Sequence, residues 1–221
     1  MKSSRSLLIL TAAVILGANN VHAQVFVTTL TKPSDGNIGV VGNQQVGMSF
    51  ATDGMSYDLN SISVPINENT AATLTGELFL ADGSDLPTGT ALVSFSHGAI
   101  AGTVSFAPTV SITLDPGTSY VFALRSPSGD YSWDSTLSNT GFDQPSGGAW
   151  SMAAVLPASV DGGASWFDAS GGGERAMGAV NATAVPEPGA YVLATAVGLI
   201  AFAVWRRKQP RPQAVAGKLI S

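Results

Sequence analysis

One histidine, fourteen carboxylates and three tryptophans are the residues between positions 24 and 184 whose types could do chemistry. His97 alternates with Val93 and Phe95, which places it on their face or at a strand end. A Ser-His-Asp triad would have to be built on this one residue. No nucleophile-elbow motif accompanies it. A His-rich zinc site is excluded by count, and the chain has no cysteine to supply thiolate nucleophiles or ligands. His97 therefore reads as a packed or surface residue, and we expect no catalytic residue. Two carboxylates at a set separation suffice for glycoside hydrolysis, but most acids here fall in turns, where Asp serves as a local backbone acceptor. Asp82, Asp85, Asp130 and Asp134 lie close enough in sequence to share loops, and hard oxygen ligands suit calcium. No EF-hand loop is present, so turn chemistry is the preferred reading. No cofactor is expected, with calcium as the candidate cation. Trp133, Trp150 and Trp166 could form a stacking platform for a sugar, although core packing claims such residues more often. Ser159-Val160-Asp161-Gly162-Gly163-Ala164-Ser165-Trp166 fits the S-x-D-x-G-x-x-W pattern of an Asp-box turn. It occurs once, and so predicts a hairpin turn rather than an activity.

The elements that must position these groups read as strands. Apolar residues alternate at Ile62, Val64 and Ile66; at Leu74, Leu78 and Leu80; at Val110, Ile112 and Leu114; and at Tyr120, Phe122 and Leu124. Asp53-Gly54, Asp82-Gly83, Asp115-Pro116-Gly117 and Gly171-Gly172-Gly173 separate the runs as turns. Helical periodicity is missing throughout this stretch. The expected fold is all-β, an antiparallel β-sandwich of jelly-roll type. Pro65 interrupts one run, which predicts an edge strand or a bulge there.

Charge narrows the partners. Residues 24–184 carry three cations, Lys32, Arg125 and Arg175, against fourteen acids, a net charge of about −11. Such a surface repels nucleic acid and anionic lipid.

Both ends of the chain are apolar. Met1-Lys2-Ser3-Ser4-Arg5, the stretch Leu7–Leu16 and the small residues of Val21-His22-Ala23 have the order of a signal peptide, with cleavage expected between Ala23 and Gln24. Near the other end, Val185-Pro186-Glu187-Pro188 precedes an uncharged run, 189–205, and then Arg206, Arg207 and Lys208. Seventeen residues at about 1.5 Å each span roughly 25 Å, near the lower limit for a bilayer core. The three cations stop transfer and mark the cytoplasmic side. The domain organisation is then a signal peptide at 1–23, an ectodomain at 24–184, a C-terminal segment at 185–208 with a transmembrane helix at 189–205, and a short cytoplasmic tail at 209–221.

Pro186-Glu187-Pro188, the apolar run and the basic cluster together resemble the PEP-CTERM sorting signal of Gram-negative bacteria that make exopolysaccharide. The resemblance covers about a tenth of the chain. It implies exosortase as partner, an inner-membrane precursor held by the C-terminal helix, and a product at the cell surface or outside the cell. A second resemblance rests on Ser49-Phe50-Ala51-Thr52-Asp53-Gly54, Leu80-Ala81-Asp82-Gly83, Leu114-Asp115-Pro116-Gly117-Thr118-Ser119-Tyr120 and Trp133. These are similar to the choice-of-anchor group of bacterial surface domains, R type, which implies a β-sandwich without assigned catalytic residues. The expected function is structural or adhesive, within an exopolysaccharide or biofilm matrix. A carbohydrate-binding module is the first alternative and a glycoside hydrolase the second.

Overall fold

Threonine, serine and valine are abundant in the central chain while lysine and glutamate are scarce, so extended structure is favoured over helix. The computed structural model describes residues 23–69, 73–97, 102–137, 141–171, 173–186 and 188–208. Its strands are β1 (Gln24–Thr28), β2 (Gly36–Val41), β3 (Gln45–Ala51), β4 (Tyr57–Asn69), β5 (Thr73–Ala81), β6 (Pro87–His97), β7 (Gly102–Pro108) and β8 (Thr113–Leu114). They continue with β9 (Ser119–Ser128), β10 (Asp130–Leu137), β11 (Ser151–Met152), β12 (Pro157–Ser159), β13 (Phe167–Asp168), β14 (Glu174–Ala176) and β15 (Ala179–Ala184). A helix, α1 (Pro188–Lys208), follows.

All the pairings are antiparallel, as the alternation predicts. The division into two sheets is not observed. The strands join one curled sheet in the order β1-β15-β4-β7-β6-β5-β9-β3-β12-β13, and β10 branches to β2, β14 and β4. The physical reason is β4. It meets β15 over Tyr57–Ser63, β7 over Ile62–Ile66 and β10 over Ile66–Asn69, so the ladder never breaks between layers. Alternation reports which face is buried, but not which strands pair. β4 carries the expected bulge close to Pro65, where Ser132 faces Glu68 and Trp133 faces Ile66, although Pro65 itself is on an interior strand. It lies between Ser63, where β15 leaves β4, and Ile66, where β10 takes it up. A residue without an N–H suits that change of neighbour.

The predicted inward residues fill the core. Ile62, Val64, Leu78, Leu114, Phe122 and Leu124 are fully buried. One aromatic group holds Phe26 stacked on Trp150 at 5.0 Å, with Tyr57 edge-on to both. A second joins Phe95, Phe106, Phe122 and Trp133. Gly76 sits inside β5 because any Cβ there would come within 2.8 Å of the Phe122 ring. Two residues depart from expectation. Leu80 is 39% exposed, because the β5–β6 register shifts between Leu78 and Leu80 and Phe79 is buried instead. Val110 is 63% exposed and outside any strand, since only Thr113–Leu114 pair with β4.

The helix keeps the predicted position. Pro188 opens it, where a missing N–H costs nothing, and Arg206, Arg207 and Lys208 close it, complementing the negative end of its dipole. Leu199, Ile200, Phe202, Val204 and Trp205 are exposed apolar side chains. Among the described residues no helix is long and apolar enough to cross a membrane. The span expected at 189–205 is thus corrected to a helix without a demonstrated crossing. The signal-peptide residues 1–22 and the tail 209–221 lie outside the described residues.

Candidate functional site

The segment with the most specific sequence pattern begins where the sheet ends. β15 carries small and β-branched residues, Ala179-Val180-Asn181-Ala182-Thr183-Ala184, of which Val180 and Ala182 are fully buried. It is held between β1 and β4. Pairing runs one residue beyond the strand, where the Val185 N–H donates to the Ser56 carbonyl at 2.9 Å. Pro186 follows exposed, Glu187 lies outside the described residues, and α1 starts at Pro188. Of the residues expected at the N-terminal cut, Ala23 and Gln24 are both exposed, and Gln24 opens β1 opposite Ala182. Sequence patterns do not disclose this meeting of the two ends, because pairing of a first strand with a last one leaves no local signal.

The candidate groups of the body are dispersed. Trp133 and Trp150 are fully buried, and the Trp133 indole N–H donates to the Met177 carbonyl at 2.7 Å. Trp166 is half-buried, edge-on to Phe79 at 5.8 Å. The three rings therefore form no common platform: two belong to the core because they are the largest apolar surfaces available to it. The Asp82 carboxylate accepts from the N–H groups of Ser84 and Leu86, and Asp85 adopts φ 60° within that same turn. Asp130 and Asp134 stand on β10 instead; Asp134 accepts from the Asn67 amide, and burial raises its pKa. Among the described residues no group of three or more acids or histidines could hold a metal ion. The calcium candidates are thus two turn acids and two strand acids, separated by the topology. His97 is half-buried with its ring 5.4 Å from that of Phe106. Replacing His97 with Ala is expected to lower stability by about 1 kcal/mol or less, measured by urea unfolding.

The body's three cations are all engaged. Lys32 meets Asp143 at 2.6 Å, Arg125 meets Glu77 at 3.4 Å, and Arg175 is buried with a guanidinium N–H donating to the Met152 carbonyl at 3.3 Å. Of the three, Arg175 is buried and Arg125 stays exposed.

The single Asp-box is a turn between β12 and β13. The Ser159 hydroxyl donates to Asp161 at 2.8 Å and accepts from the Gly163 N–H at 2.8 Å. Asp161 also accepts from the Ser165 hydroxyl at 2.5 Å and the Ser165 N–H at 2.9 Å. These donors, the Ser165 hydroxyl first, hold the Asp161 carboxyl at about 2, below its ordinary 3.8. A depressed carboxylate stabilises the fold above its unfolded pKa and loses that effect as pH falls through its folded one. Asp161→Asn should therefore melt below wild type at pH 6, with the gap closing as pH falls from about 4 to about 2. A gap of the same size at pH 2 would contradict the assignment.

Residues 184–208 match the PEP-CTERM protein-sorting motif. A search of curated protein sequences returns no match to the chain. The motif implies an exported protein that is sorted by exosortase and anchored in the membrane before it is processed. The matched stretch opens on the last residue of β15 and closes on the last residue of α1, so its borders coincide with structural ones.

Proposed function

We propose that this chain is an exported surface protein whose body performs a structural or adhesive role in an extracellular polysaccharide matrix, without catalysis of its own. The match of residues 184–208 to the sorting motif carries the reading. The character of the body supports it. Its one histidine packs against Phe106, its buried tryptophans serve the core, and its cations are consumed by internal partners. The net charge of about −11 leaves an acidic exterior compatible with neutral polymer and repelled by nucleic acid. The similarity of the Asp-Gly and Pro-Gly turn segments to choice-of-anchor surface domains belongs to the same proposal.

A saccharide-binding module is the second reading, favoured by Trp166 and Phe167. The first is half-buried and the second 45% exposed, on neighbouring positions of one hairpin. The test is fractionation of cells that carry exosortase and make exopolysaccharide. Depolymerising the polysaccharide should release the protein from the surface into the medium. Protein that stays with the cells after that treatment would overturn the matrix role.

A further inference from the structure

The ladder of the body runs up to the residue before the sorting motif's first proline. Gln24, where the mature chain is expected to begin, faces Ala182 of β15, and the two strands run in opposite directions. The expected start of the mature chain and the last strand before the sorting motif, far apart in sequence, therefore lie side by side in the sheet. β15 is hydrogen-bonded on both sides as far as Ala182, to β1 and to β4; beyond it β4 alone continues the ladder, with Thr183 opposite Asp58 and Ala184 opposite Tyr57. The Val185 N–H is bound to the Ser56 carbonyl at 2.9 Å, and Pro186 comes next. An enzyme that takes its substrate as an extended segment needs the backbone groups of residues 182–185. In the folded body the groups that face β4 already belong to the ladder.

We propose that the β1–β15–β4 ladder gates processing of the sorting segment: the tip of β15, from Ala182 to Val185, must open before the chain can be gripped on the N-terminal side of the motif. This rests on the reading of residues 184–208 as a sorting segment. The Ser56 carbonyl is the latch, since it holds the last paired residue before Pro186. Opening a strand end is a local event, much less costly than unfolding the body. The processing rate then reports fraying of β15 rather than loss of the fold.

The test is a pulse-chase of the full chain in a host that carries exosortase, reading conversion of precursor to product. A six-residue Gly-Ser insertion between Val185 and Pro186 lies beyond the last ladder bond and supplies a free extended segment. It should speed conversion roughly tenfold, the factor by which one or two net hydrogen bonds restrict access. The opposite variant locks the tip. Thr183→Cys with Asp58→Cys places two thiols on facing residues of an otherwise cysteine-free chain. Such a pair has Cα atoms about 5.5 Å apart, within disulfide reach. Outside the cytoplasm the bridge should form and slow conversion roughly tenfold, the same factor, with reductant restoring the wild-type rate. An insertion that leaves the rate unchanged or lowers it overturns the gate, and so does a bridge without effect or a slow rate that reductant does not restore. In those cases conversion of the wild type keeps the sorting reading intact. If neither wild type nor insertion variant is converted, both readings fall together.

Discussion

Replacing Trp133 with Ala is expected to destabilise the body by about 3–5 kcal/mol, the range for deleting a large buried aromatic ring. Trp133 is fully buried, contacts the Phe122 ring edge-on at 6.3 Å, and satisfies the Met177 carbonyl through its indole N–H. Truncation leaves a cavity and a buried carbonyl without its donor. The strand that carries it is also the branch point: β10 pairs with β2, β14 and β4. The companion change Trp166→Ala should cost about 1 kcal/mol, because that ring is only half-buried, edge-on to Phe79. Urea unfolding of the two variants checks the contrast. Equal losses would mean that the three tryptophans share one environment, and the platform of ligand-stacking rings would have to be reconsidered.

The second large effect falls on the tail. Glu187→Ala should accumulate a precursor that stays in the membrane fraction while wild type is converted. The substitution lies outside the sheet, so the body's thermal midpoint should not move. Losing Gly189–Ser221 would remove five cations, Arg206, Arg207, Lys208, Arg211 and Lys218. The wild-type product should therefore focus at lower pH than the accumulated variant. Separation by size, by fraction and by charge makes the result difficult to confuse with a folding defect.

Much of this was legible in the residues. The alternation at Ile62, Val64 and Ile66 named the buried face of β4, and Tyr120, Phe122 and Leu124 did so for β9, because a period of two is a local property of the chain. The sorting segment was legible for the same reason: its proline corner, apolar run and cations are contiguous. Pairing was not legible. That β4 serves β15, β7 and β10 in turn, and that Gln24 meets Ala182, depends on contacts between residues distant in sequence. The tryptophans illustrate the limit from the other side. Trp133 and Trp166 are the same residue type near similar turn formers, and only the packed sheet makes one a core anchor and the other a half-exposed contact. The four aspartates fail as a cluster for a related reason. Each was already occupied or separated by its own local structure: a turn for Asp82 and Asp85, a strand for Asp130 and Asp134.

The central claim is that residues 184–208 are a processing signal and not merely a helix. Intact mass of the mature protein, recovered from a host that carries exosortase, tests it most directly. The account predicts a chain that begins at Gln24 and lacks Gly189–Ser221. A mature mass that retains the whole tail through Ser221 would contradict it.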